Sequence, residues 1–205
     1  MASEMLTDIG FAYQNRAEYN LALDYHSRAL SIRHASPVSD PVLIAANLFG
    51  IANAHWGRGN LSEALAYAQQ ALALNESIPT GNNSNIASVL AILANIYHRS
   101  GDDIHALEFA KRALVLLESC MAEESLGVTS VLNNIGTIQV SAGLYEDALV
   151  TFIRVLHICE RTLPNDHPRR IAIIRNVQRV IAMQEEAILY SFSHFWSSLL
   201  QILFV

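Results

Sequence analysis

The residues able to do chemistry in this 205-residue chain include eight histidines, two cysteines and the adjacent carboxylates Asp102-Asp103, Glu123-Glu124 and Glu185-Glu186. A metal site or an acid–base pair built on one helix needs two such groups a turn apart, as His-x-x-x-His or Glu-x-x-His, with a third ligand in reach. The sequence holds no His-x-x-x-His or Glu-x-x-His pair. Adjacent carboxylates cannot face each other across a substrate. The pairs at 102–103 and 123–124 read as charges at helix N-termini, and Glu185-Glu186 as a solvated patch. Cys120 and Cys159 fall near helix ends with no electropositive surroundings evident, so inert thiols are expected. Gly57-Arg58-Gly59 is a turn between helices and not a phosphate loop. Catalysis, a metal and a cofactor are therefore not expected, nor is a small-molecule substrate.

Composition narrows the remaining classes. Charged residues make up 16% of the chain and apolar ones 52%, against roughly 25% charged in an average soluble domain; disorder needs the opposite balance. The chain has 27 Ala and 26 Leu, together about a quarter of it, and only nine Gly and five Pro. That mixture favours helix over a turn-dense β architecture. A net charge of −6 argues against a nucleic-acid partner. The opening MASEMLTDIG has neither the basic start nor the apolar run of a secretory signal, so a cytoplasmic, reducing setting is expected.

What must position any functional side chain is a repeat. Alanines recur every 42 residues at 22, 64, 106 and 148, each followed by leucine. Seven residues beyond each stands Ala29, Ala71, Ala113 or Val155. Upstream in the same register are Gly10, Ala52, Ala94 and Gly136, each after Ile or Leu, and between the blocks lie Ala17, Gly59, Gly101 and Gly143. Each copy reads as two helices joined by a tight turn, because small residues at the crossing let two backbones approach. A single helix pair cannot bury its apolar face, so the copies must stack. Breaks fall at Pro37 and Pro41, at Pro79 with Gly81-Asn82-Asn83-Ser84, and at the segment around Pro164 and Pro168.

This pattern resembles the tetratricopeptide repeat, in the 42-residue form of kinesin light chains, over about residues 3–184. The carriers are the Ile/Leu-Gly/Ala pairs, Tyr13 and Tyr97, the turn glycines, the Ala-Leu pairs and the linker ERTLPNDHPRRIA. Ala17 in place of glycine, His55 and Gln139 in place of tyrosine, and Val155 in place of alanine depart from it. The resemblance implies an all-α, right-handed α-solenoid of about four helix pairs plus C-terminal capping helices. The pairs would span about 3–40, 41–82, 83–124 and 125–166, with a partial fifth at 167–184 and an apolar helix or tail at 185–205.

It also implies binding rather than chemistry, with the first helix of each pair lining a concave groove for a protein or peptide ligand. By register the groove residues are Phe11, Gln14 and Asn15; Phe49, Asn53 and Trp56; Asn95, His98 and Arg99; and Asn133 and Thr137. On this reading the aromatics stand exposed on one stripe, and Asn53 and Asn95, 42 residues apart, hold a peptide backbone by their amides. Arg99, with Arg58 close by, is the one permanent cation among them, so a polar-neutral or mixed peptide is expected. The tail from Ala187 to Val205 carries no acid, Lys or Arg. It reads as a capping helix packing Ile188, Phe192, Phe195, Leu199 and Ile202, as a membrane contact, or as the end of a fragment of a longer protein. Self-association through Phe192, Phe195 and Trp196 is the alternative to a groove-binding adaptor.

Overall fold

The computed structural model describes residues 2–36, 40–79 and 83–203, with side chains up to Tyr190. The described residues form helices and no strands: α1 Ala2–Asn15, α2 Tyr19–Ala35, α3 Pro41–Arg58, α4 Leu61–Glu76, α5 Asn83–Arg99, α6 Asp103–Cys120, α7 Leu126–Ser141, α8 Tyr145–Thr162 and α9 Pro168–Leu203. They divide into two compact units, residues 1–121 with α1–α6 and residues 122–205 with α7–α9. Pro37, Gly81 and Asn82, expected in the breaks, lie outside the described residues. Asn83 and Ser84 open α5. Asp40 caps α3, accepting from the Val42 amide at 2.9 Å, with Pro41 in the first turn where its missing N–H costs nothing.

Every hairpin is closed by the same backbone device. The amides of Glu18, Asn60, Asp102 and Leu144 donate to the carbonyls of Tyr13, His55, Tyr97 and Gln139 at 2.8–2.9 Å. The amides of Ala17, Gly59, Gly101 and Gly143 donate to the carbonyls of Gln14, Trp56, His98 and Val140. This is the Schellman arrangement, which requires a left-handed residue just past the helix. The three glycines have φ of 73–84°, and Ala17 adopts the same conformation at φ 59°. Tertiary packing thus holds an alanine where its Cβ is disfavoured.

Side chains across each hairpin repeat the theme. Tyr13 stacks on Tyr25 at 5.4 Å, His55 on Tyr67 at 5.6 Å and Tyr97 on Phe109 at 5.3 Å. In the fourth pair, the Thr151 hydroxyl donates to Gln139 Oε1 at 2.8 Å. His55 and Gln139 therefore fill the tyrosine position with partners that suit them. One register deeper, the pairs are Gly10 with His26, Ala52 with Ala68, Ala94 with Ala110 and Gly136 with Phe152. Where a ring occupies the second helix the first has glycine: a Cβ on Gly136 would stand 2.7 Å from Phe152 Cε1. Where the second has alanine, so does the first. A ring is admitted only where the facing helix gives up its Cβ, as a close-packed interior demands.

In the first unit the core gathers Leu48, Ala52, Ala64, Ala68, Ala71, Val89, Ile92, Leu93 and Ile96. In the second, Val128, Leu132, Ile135, Phe152, Val155, Ile173 and Val180 are buried. The partial fifth repeat expected at 167–184 does not end there: α9 runs 36 residues without a break, since no Gly or Pro interrupts it. Ile188, expected to pack as part of a cap, is 61% exposed. The side chains of Phe192, Phe195, Trp196, Leu199 and Ile202 lie outside the described residues. Among the described residues no helix is long and apolar enough to cross a membrane.

Two stability measurements check this account. Ala17→Gly removes a left-handed alanine and raises stability by about 1 kcal/mol in urea unfolding, the gain in the turn exceeding the added freedom of the unfolded chain. Gly136→Ala alone costs about 1–3 kcal/mol by overpacking and Phe152→Ala about 3–5 kcal/mol by leaving a cavity. The double variant, which restores the Ala–Ala seam of the middle repeats, costs less than the two together by at least about 1 kcal/mol.

Candidate functional site

The inner-helix residues singled out by register lie on α1, α3, α5 and α7, and the structure treats them unequally. In the first unit α1 packs against α3 and α3 against α5. Side chains on these helices therefore meet their neighbours, and Phe11, Phe49 and Trp56 are half-buried instead of standing exposed. Phe11 and Phe49 approach at 6.5 Å and wall a cavity of about 220 Å³, completed by Ala45, Ala46, Asn75, Asn85, Ser88 and Val89. None of these lining residues carries a charge. Asn85 and Ser88 are exposed at the cavity, while Asn75 is buried and donates to the Ala71 carbonyl at 2.9 Å. Phe49 also packs on the core cluster, which fixes its ring.

A second cluster surrounds Trp56. The Arg99 guanidinium lies 5.8 Å from the indole centroid and donates from Nη1 to the Trp56 carbonyl at 3.1 Å. The indole Nε1 is buried without a partner. His98 Nδ1 sits 2.6 Å from Asp103 Oδ1 across the turn. Asp102 caps α6, accepting from the His105 amide, and also meets the His105 ring at 2.6 Å. These backbone and side-chain hydrogen bonds hold the Asp102 carboxyl below the usual range. The acidic pair at 102–103 is thus the helix N-terminal charge its sequence suggested.

Gln14 does not belong to an open wall. It is 8% exposed, and its amide donates to the Gly50 carbonyl and accepts from Asn53 Nδ2 at 3.3 Å. Asn53 is half-buried and spends a donor on that link instead of standing free beside Asn95 for a backbone ladder. Asn95 is half-buried as well. Asn15, at the end of α1, is exposed. In the second unit Asn133 accepts from Asn176 Nδ2 at 3.4 Å, and the Thr137 hydroxyl donates to the Asn133 carbonyl at 3.0 Å. Both are half-buried.

Sequence reasoning passed over a buried polar layer in the first unit formed by His26, Arg33 and Asn47, which Thr7, on the inner face by register, joins as a buried residue. The signal was present in the register, since position 26 holds histidine where the next copies hold alanine. Among the described residues no three His, Cys, Asp or Glu side chains assemble as metal ligands. Cys120 is exposed, and burial pushes the Cys159 thiol up, away from reactivity.

Comparison with known proteins follows these features closely. A model described as tetratricopeptide repeat matches residues 1–77 and 43–119, and a second of the same description matches residues 128–169. No curated protein matches the chain by sequence. Among solved structures, BtubC (BKLC) from P. vanneervenii superposes with a TM-score of 0.76 at 20% identity, over 86% of this chain and 70% of that one. A putative kinesin light chain with nearly identical TPR-like repeats, from Podosopora anserina, gives 0.74 at 17% identity, over 91% of this chain and 89% of that one. A Rap protein complexed with Competence and Sporulation Factor gives 0.74 at 17%, over 91% of this chain and 50% of its own length. With the family models spanning most of the chain and the hairpins folded as their repeat requires, this chain belongs to the tetratricopeptide repeat family.

Proposed function

We propose that the chain is a non-enzymatic protein-interaction scaffold that binds a peptide segment of a partner on the inner helices of its first unit. The observation that carries this reading is the uncharged cavity between Phe11 and Phe49, with exposed Asn85 and Ser88 beside it. An apolar side chain of the peptide fills the cavity, and the amide and hydroxyl bond its backbone regardless of sequence. Aromatic walls around a desolvated anchor are where interface energy concentrates. Arg99 over Trp56 offers a neighbouring cation, so a mixed peptide with one acidic residue is also accommodated. The Rap protein, whose structure holds Competence and Sporulation Factor, is a relative in fold with a bound partner and supports the same use of the scaffold. Cytoplasmic residence suits this role.

Peptides selected from a random displayed library on the full chain provide the test. Phe49→Ala lowers their affinity by about tenfold or more, read by fluorescence anisotropy, with the helical circular dichroism retained. Because Phe49 also packs on the core, Ser88→Trp serves as the second variant: it fills the cavity from its exposed edge and abolishes binding while stability holds. Undiminished affinity in a folded Ser88→Trp chain disproves the site.

A further inference from the structure

His26 lies in the middle of α2 and is 0% exposed. Its ring is wedged between two helix backbones. A Cβ on Gly10 of α1 would stand 2.7 Å from Cε1 and Nε2, and one on Gly50 of α3 would stand 2.5 Å from the same atoms. Phe11 of α1 presses edge-on at 4.7 Å. Neither ring nitrogen has a hydrogen-bond partner. The groups facing the ring are uncharged on both flanks: Gly10 and Phe11 from α1, Asn47 and Gly50 from α3. The charged neighbour is Arg33 of its own helix, 4% exposed, which donates to the Leu43 carbonyl at 2.6 Å. The carboxylates of Glu4, Asp8 and Asp40 act on Arg33.

We infer that His26 is a pH-sensitive latch: its protonation undocks the α1–α2 hairpin from α3. A neutral imidazole is a flat apolar wedge of the right thickness for the gap between two glycines. An imidazolium carries two donors and a charge, to which the flanks offer the neutral Asn47 amide and no carboxylate, and burying an unpaired charge is costly. The electrostatics agree in direction. Burial lowers the His26 pKa to about 4 from 6.5, the Asn47 amide opposes this, and Arg33 adds to it. With the folded value depressed, the undocked state binds more protons between those two values. Docking is therefore fully stable above about pH 6.5 and is lost progressively as pH falls towards 4. Phe11 leaves with α1, so the cavity it forms with Phe49 exists only in the latched state. This holds whatever the cavity accepts, and so stands apart from the binding reading above.

The fourth repeat supplies the control. There Phe152 takes the position of His26 against Gly136, so a ring that cannot titrate fits this seam. Hydrogen exchange on the full chain reads opening of the α1 amides, corrected for intrinsic exchange. In the natural sequence the opening constant rises about tenfold per pH unit from roughly pH 6 to 4.5. In His26→Phe this slope is lost, while His34, His55 and the remaining histidines provide the same background in both chains. Equal slopes overturn the latch. NMR titration of the natural chain decides independently if His26→Phe does not fold. A His26 resonance that stays neutral until α1 protection collapses supports the latch, and one titrating near 6.5 with α1 still protected overturns it.

Discussion

Close approach of two helix backbones within each hairpin is the constraint from which the other features follow. At that crossing the backbones leave little room, and the four copies fill it in two ways: alanine in register with alanine, or glycine beneath a ring. Dispersion is maximal when no void remains, and overpacking is as unfavourable as a cavity. Fixing the crossing fixes which residues lie above it. The stacked pairs Tyr13–Tyr25, His55–Tyr67 and Tyr97–Phe109 sit next to the turn because the helices are already close there. The turn in its turn needs a left-handed residue to reverse the chain within so short a span.

Most of the fold is written in small residues, which is why it could be read from spacing alone. Alanine at 22, 64, 106 and 148 is wholly buried, and a buried alanine at a crossing cannot grow without forcing the helices apart. Substitutions are restricted there and the period survives. The end of the array was harder to read. The repeat template places a turn near residue 184, yet nothing in the chain between Pro168 and Leu203 stops a helix, and local propensity prevailed over the template. A break needs a breaker, and the absence of glycine and proline was the better guide.

The inner face was legible as a face and not as a set of free side chains. Register says which way Gln14 and Asn53 point. It says nothing of what lies opposite, and two long amides on adjacent inner helices reach each other before they reach a ligand. Phe11 and Phe49 lie on α1 and α3 as the register places them, but neighbouring helices half-cover both, so that they wall a cavity instead of standing on an exposed stripe. Asn85 lines that cavity from the first turn of α5, ahead of the repeat's recognisable small-residue block, so no periodic signal marked it.

The two inter-repeat seams of the first unit differ in kind. Between α3 and α5 the packing is apolar, through Leu48, Ala52, Val89, Ile92 and Ile96. Between α1 and α3 it is polar: Thr7 meets Asn47 at 2.9 Å, Gln14 bonds Gly50, and His26, Arg33 and Asn47 keep buried nitrogens without partners. Apolar seams gain stability from area alone, whereas buried polar groups return little beyond their desolvation cost and lose heavily when any partner is missing. Regions that open locally are those with the least net burial energy. The first hairpin is therefore the part of this unit whose inner-helix seam depends on buried polar groups, and it is also the part that supplies Phe11 to the cavity. The polar seam thus separates α1–α2 from α3 by groups whose desolvation must be answered one by one, whereas α3–α6 are joined through apolar side chains that need no partner.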